Sequence, residues 1–362
     1  MKKDKTPGMT YNGAGVKTTN VTTGMEGLIA AVRETMNIRS AVLDLGFYAS
    51  VIDIGGRQGI AIATDGVGTK ILVAEACERY DTVGIDCVAM NVNDIICVGA
   101  RPLSMVDYIA VQEAHDDLLT ELAAGLLAGA RLARINIPGG EVAQLKEMVT
   151  GLKPGYGFDL VGTCVGTVAL EDLIIGADVR PGDAIIGVAS SGIHSNGLTL
   201  ARRVLFDRMK LTVDSHIPEI GRALGEELLE PTAIYVDETM ALVESDISVK
   251  SLAHITSDGF LNLTRAQASV GYRLTDLPEP QPIFELIAGG GPVETTEMYQ
   301  VFNMGIGLCA VVDAADADRA VSILGADREA RIIGEVFDDP EERVELTAQG
   351  LVGRRGGHFQ SR

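Results

Sequence analysis

Gly59-Ile60-Ala61-Ile62-Ala63-Thr64-Asp65-Gly66-Val67-Gly68-Thr69-Lys70 is the stretch on which the fold class turns. Its first five residues have the length and apolar character of a buried strand. The remainder sets a carboxylate, two glycines, a hydroxyl and an amine at the strand's end, where ligand loops sit in α/β folds. Asp65, Gly66, Gly68, Thr69 and Lys70 together have the groups to handle Mg²⁺ and phosphate: a hard oxygen, backbone open to close approach, and a cation. The G-x-x-x-x-G-K-[ST] spacing of a Walker loop is absent. A turn with a capping Asp and a solvated Lys uses the same residue types, so on these residues alone both readings stand.

Outward from that stretch, residues 82–98 read as a buried helix with Val83, Val88, Ala89, Val92, Ile95 and Ile96 at helical spacing. Asp86, Asn91, Asn93 and Asp94 interrupt it; burying ionised groups is costly unless they are paired or metal-bound, and either would serve. Residues 104–111 are strand-like, 118–134 helical, 136–140 (Asn-Ile-Pro-Gly-Gly) a turn and 160–170 β-rich. Glu141 follows the Pro-Gly-Gly turn. Residues 184–189 form a second buried-strand pattern, followed by Ser190-Ser191-Gly192-Ile193-His194-Ser195-Asn196-Gly197 and a helix from Leu198. That loop offers hydroxyls, an imidazole and an amide at a helix N-terminus, which favours an anionic group; a plain helix cap is the alternative. Helices are expected over 217–229, 232–244 and 314–324, and strands over 304–312 and 330–336. The N-terminal stretch to Gly59 reads partly as a flexible arm with one amphipathic segment, 25–36. These patterns give residues 1–172 and 173–345 as two domains and 346–362, with Arg354, Arg355, His358 and Arg362, as a loose basic tail.

The 362 residues exceed the usual size of one domain, and the 46% hydrophobic content describes an ordinary globular chain. Fifty acidic against thirty basic residues give a formal charge of −20, which argues against nucleic acid and anionic membranes as partners. No apolar run approaches bilayer length and the N-terminus lacks a signal-like core, so a cytoplasmic location is expected. Cys77, Cys87, Cys97, Cys164 and Cys309 form no C-x-x-C pair and read as small core residues, not as disulfides or a zinc site.

Taken together, the ordered motifs resemble the aminoimidazole ribonucleotide synthetase (phosphoribosylformylglycinamidine cyclo-ligase) family over residues 10–336. They include Y-N-G-A-G-V at 11–16, T-D-G-V-G-T-K at 64–70, G-I-D-C-V-A-M-N-V-N-D-I at 84–95 and G-A-R-P-L at 99–103. Asp107-Tyr108, G-G-E at 139–141, A-S-S-G-I-H-S-N-G at 189–197, His254-Ile255-Thr256 and F-N-M-G-I-G at 302–307 continue the series.

The resemblance implies a two-domain α/β (α+β) fold, with an N-terminal sheet that pairs across a homodimer into a barrel and a C-terminal α/β domain. It implies ATP- and Mg²⁺-dependent closure of formylglycinamidine ribonucleotide to aminoimidazole ribonucleotide. By analogy Asp65, Asp94 and Glu141 hold Mg²⁺, with Asp258 as a further ligand. Gly66, Gly68, Thr69, Lys70 and Asn91 meet ATP; Ser191, His194, Ser195 and Asn196 meet the ribonucleotide; and Lys70, His194 and His254 are the catalytic candidates. The sequence departs from the family pattern at Lys17, at residues 141–146 (E-V-A-Q-L-K), and at His254-Ile255-Thr256-Ser257-Asp258-Gly259. S-D-G in that last segment is similar to thiamine-monophosphate kinase, which keeps a small-molecule kinase, and beyond it a non-catalytic binding homologue, as rival readings. At Asp258 the added carboxylate needs a cation, either a metal ion or a protonated His254.

Overall fold

The computed structural model describes residues 8–16, 23–38 and 41–362; Lys17 lies outside them. The N-terminal half contributes helices α1 (Thr23–Glu34), α2 (Ile71–Cys77), α3 (Val83–Ile96) and α4 (Asp116–Ala133). Its strands are β1 (Ser50–Gly55), β2 (Gln58–Gly66), β3 (Arg101–Val111), β4 (Asn136–Gln144) and β5 (Phe158–Ala169). They make one sheet in the order β1-β2-β5-β3-β4, antiparallel except for the parallel pair β3 and β4.

In the C-terminal half the helices are α5 (Leu198–Arg202), α6 (Leu224–Leu228), α7 (Val236–Val243), α8 (Pro282–Gly290), α9 (Thr295–Val301) and α10 (Ala317–Leu324). Strand β6 (Ala184–Ala189) precedes a two-residue hairpin pair, β7 (His216–Ile217) and β8 (Arg222–Ala223). Then come β9 (Val249–His254), β10 (Gly271–Leu274), β11 (Ile306–Val312), β12 (Ala330–Phe337), β13 (Arg343–Leu346), β14 (Leu351–Arg354) and β15 (Gln360–Ser361). Eight of these form the second sheet, β15-β14-β13-β10-β12-β6-β11-β9. The architecture is a mixed α/β fold with two sheets, and no helix among the described residues is long and apolar enough to cross a membrane.

Helix α3 is where the halves meet: it touches β2, β3, β5 and α4, and also α7 and β9. Its approach to the sheet depends on missing side chains, since a Cβ on Gly162 of β5 would lie 2.7 Å from the Asn91 amide nitrogen. On its other flank a Cβ on Gly84 would lie 2.3 Å from the Leu126 backbone nitrogen of α4. Both faces of α3 are therefore packed, which is why its sequence is apolar nearly all round and why every polar residue on it requires a partner.

Four sequence expectations are corrected. Residues 136–140 are not a turn but the start of β4. Residues 217–229 hold the β7–β8 hairpin and one short helix, α6, and the helix expected from 232 begins at Val236. The C-terminal residues are not a loose tail: β14 pairs with β13 and β15 with β14, and the Phe359 ring is 4% exposed. Strand pairing and burial of one aromatic ring outweigh the basic, glycine-rich composition of that segment.

Candidate active site

Strand β2 carries Asp65 to its end, and α3 grips it there. The Asn91 carboxamide accepts the Asp65 backbone N–H (3.0 Å) and donates to the Asp65 carbonyl (3.1 Å) and to Cys87 O (2.8 Å). All of its polar capacity faces protein and it is fully buried. Asn91 is thus a clamp on the strand end, not the ATP contact expected from the sequence. The Asp65 side chain stays accessible to solvent. Burial raises its pKa, the Gly66 N–H opposes that rise, Asp94 adds to it and His254 offsets it.

One turn further along α3, the Asp94 carboxylate lies 3.0 Å from His254 Nδ1 at the end of β9. Its side chain is 20% exposed, whereas His254 is fully buried. Asp65, Asp94 and His254 therefore gather where the two sheets' strand ends face each other. Asn93, between them, donates to Ala233 O (2.8 Å) and accepts the Tyr235 N–H (3.1 Å), tying α3 to the start of α7.

A second buried cluster lies nearby. One oxygen of Asp86 accepts Lys70 Nζ (2.9 Å), the Thr232 N–H (2.7 Å), the Thr232 hydroxyl (2.6 Å) and the Ser195 hydroxyl (3.2 Å). Lys70 also donates to Glu230 O at 2.6 Å, and neither charged side chain is exposed at all. Lys70 is therefore placed as a buried strut and not as an amine open to ATP phosphates: desolvation of Asp86 demands a cation, and Lys70 supplies it. Gly66 ends β2, paired with Val161, whereas Gly68 stands in the open just beyond it, with φ +70° and nothing within 4 Å of its absent Cβ. Thr69 shares a hydrogen bond of 2.9 Å with Thr199.

In the 190–197 loop the side chains look inward. Ser191 donates to Pro231 O (2.5 Å) and Asn196 accepts the Ser257 hydroxyl (3.0 Å). His194 is buried at φ 66°; its Nε2 accepts backbone N–H groups from Ser191 (3.1 Å) and Ala233 (3.4 Å). Burial drives its pKa well below the usual value, with the nearby basic side chains of His254, Lys70 and Arg328 adding to the drop. An enclosed imidazole of this kind fixes the loop, and it is not open to solvent as the expected substrate contact would be. Neither Ser195 nor Asn196 caps α5, whose N-cap is Gly197 with no side-chain bond. Instead the loop is stitched to residues 86, 231–233 and 257. Tyr11, from the N-terminal Y-N-G-A-G-V segment, reaches over it: its N–H bonds Glu297 Oε1 at 2.5 Å, and its phenol meets Gly197 and Thr199.

Among the described residues no group of three His, Cys, Asp or Glu side chains is disposed to hold a metal ion. Glu141 is the clearest departure. It pairs with Tyr108 in the row Gly66-Val161-Tyr108-Glu141, one position out of step with the row Asp65-Gly162-Asp107-Gly140. Side chains alternate between faces along a strand, so Glu141 stands on the opposite face of the sheet from Asp65. Asp258 accepts a bond from Gln300 (3.1 Å), and the carboxylate beside His254 is Asp94, so the Asp258–His254 pair is not formed. Asp107 is the carboxylate that residue-by-residue reading passed over: it shares the face of Asp65, with only Gly162 between, and burial raises its pKa. Register across three strands reveals it, which local sequence does not.

Comparison with known proteins assigns this architecture. Residues 46–168 match the N-terminal domain, and 180–347 the C-terminal domain, of AIR synthase related proteins. The phosphoribosylformylglycinamidine cyclo-ligase of Methanothermobacter thermautotrophicus is 49% identical over 340 residues, 94% of this chain and 97% of the relative. The cyclo-ligase of Pyrococcus furiosus is 44% identical, covering 93% of this chain and 98% of the relative. Among solved structures, thiamine monophosphate kinase from Aquifex aeolicus superposes with a TM-score of 0.62 at 14% identity, covering 90% of this chain and 98% of that one. Hydrogenase maturation protein HypE in complex with ATP gives 0.59 at 18% identity, covering 87% of each chain, and at such identities the likeness is one of fold. The chain belongs to the phosphoribosylformylglycinamidine cyclo-ligase family of AIR synthase related proteins.

Proposed function

We propose that the protein closes formylglycinamidine ribonucleotide to aminoimidazole ribonucleotide at the expense of ATP, as a cytoplasmic enzyme of purine synthesis. The observation that carries this reading is near-full-length similarity at 41–49% identity to proteins of that named activity. ATP phosphorylates the formamide oxygen, releasing ADP. The ribosyl-bearing amidine nitrogen then attacks the former formyl carbon, and phosphate leaves with the oxygen. Substrate nitrogen and carbon already share one molecule, so the enzyme's task is orientation and charge stabilisation.

Asp65 and Asp94 are the residues that would hold Mg²⁺. Two carboxylates, one at the end of β2 and one on α3, suit an ion that keeps several waters and takes its remaining ligands from phosphate. The ion would neutralise charge on the transferring phosphoryl group. His254 holds Asp94 in place and Asn91 holds Asp65. A homodimer joined through the outer face of the N-terminal sheet accompanies this reading, supported by Ile54, Val106 and Tyr108, all more than 40% exposed.

Mixing the purified protein with ATP, Mg²⁺ and formylglycinamidine ribonucleotide should release ADP, phosphate and aminoimidazole ribonucleotide in equal amounts. ADP release with thiamine monophosphate but not with the ribonucleotide would replace this reading by the kinase one, which S-D-G at 257–259 favours.

A further inference from the structure

We propose that Arg265 and Arg355 form an anion subsite that binds a phosphate group beside the Asp94–His254 pair. A cavity of about 260 Å³ is lined by Gly46, Asp258, Asn262, Arg265, Arg355 and Gly356. That is smaller than the roughly 300–1,000 Å³ of pockets that enclose whole small molecules, so it takes one group of a larger ligand.

Arg265 is preset. Its Nε donates to Asn262 Oδ1 (2.9 Å), its Nη1 to Gly46 O (3.2 Å), and its guanidinium lies 4.7 Å from the centre of the Tyr48 ring. Of five N–H groups these bonds use two, and among the described residues no carboxylate pairs with it. Tyr48 in turn donates to His254 O (3.1 Å), which places the cavity one side chain away from the Asp94–His254 pair.

Arg355 projects from the turn between β14 and β15, and that turn is anchored to the same cavity. The Phe359 N–H bonds Gln300 Oε1 (3.1 Å), and Gln300 Nε2 bonds Asp258 Oδ1 (3.1 Å). At Gly46 (φ +117°) an added Cβ would lie 3.3 Å from Arg355 Nη2, so glycine leaves the guanidinium its place. Asp258 contributes one negative charge, with one oxygen already engaged, against two guanidinium groups. In a chain of net charge −20, two arginines that line one cavity and have no carboxylate ion-pair partner among the described residues call for a ligand of negative charge. Planar guanidinium forks match phosphate oxygens.

The subsite stands on this geometry; which substrate's phosphate it takes, the ribonucleotide's or ATP's, rests on the proposed function. Calorimetric titration of the full-length protein with ribose 5-phosphate and, separately, with ATP provides the test. Arg355→Ala and Arg265→Gln should weaken one of the two probes about 10- to 100-fold, while Arg354→Ala, one residue outside the cavity, leaves both within about twofold. Loss confined to ribose 5-phosphate assigns the ribonucleotide's phosphate; loss confined to ATP assigns the nucleotide's. Arg355 is exposed, so its variant tests the site even if the Arg265 variant fails to fold. Unchanged affinity of Arg355→Ala for both probes, an equal loss in Arg354→Ala, or no binding of either probe by the unaltered protein overturns the proposal. Binding that is lost as expected in a protein inactive on formylglycinamidine ribonucleotide would instead overturn the function and leave the subsite.

Discussion

Two backbone N–H groups bond His194 Nε2, so its proton sits on Nδ1, which is buried with no partner among the described residues. Protonating both nitrogens would break those bonds and bury a charge among basic side chains, hence the depressed pKa. Folded and unfolded states then differ: as pH falls below about 6.5 the unfolded chain takes up a proton that the native one refuses. The stability this residue confers is complete above that pH and is lost progressively below it, by up to about 1.4 kcal/mol per pH unit. Urea midpoints measured between pH 7 and pH 5.5 should fall less steeply in His194→Asn, a residue that tolerates φ 66°, than in the unaltered protein; parallel slopes would contradict the assignment. Asp65 makes a different prediction, because its backbone and not its side chain is what Asn91 holds. Asp65→Asn should fold normally by circular dichroism and lose turnover by at least on the order of a hundredfold, the scale of lost metal support. Full turnover at ordinary Mg²⁺ would remove Asp65 from the metal site.

Helix α3 shows at the level of an element what the sequence disclosed and what it withheld. Its apolar periodicity and the oddity of Asp86, Asn91, Asn93 and Asp94 were legible. Their partners were not, because Lys70, Thr232, the Asp65 backbone, Tyr235 and His254 lie on other segments that only tertiary packing brings together. Lys70→Met should therefore lower stability by about 3–5 kcal/mol in chemical denaturation, since it leaves the Asp86 charge buried and unpaired. A lysine serving only to meet phosphates would leave the midpoint unchanged. Strand β4 was hidden by Pro138-Gly139-Gly140. As an edge strand it needs pairing on one side only, and its register with β3 shifts between Ser104 and Val106, which accommodates the proline. The β14–β15 hairpin was hidden for a related reason: such short strands are specified by the sheet they join.

At the scale of the whole molecule, α3 covers one face of the N-terminal sheet, and the other carries exposed apolar side chains. That other face presents Ile62, Val165, Val106, Val161 and Tyr108 interspersed with Ser104, Thr64, Thr163 and Glu141. The proposed homodimer would bury the exposed apolar members of this face, Val106 and Tyr108 among them. A twofold axis through this face would bring the same patch of each copy together. Two chains of charge −20 repel one another at long range, however. Since salt screens that repulsion and leaves apolar burial intact, dimerisation should strengthen between low and moderate ionic strength. Light scattering at micromolar concentration should give twice the 38.2 kDa chain mass, and Val106→Asp, which sets like charges face to face, should give the monomer with its circular dichroism preserved. A monomeric unaltered protein in moderate salt, or a Val106→Asp variant that still dimerises, would place the interface elsewhere.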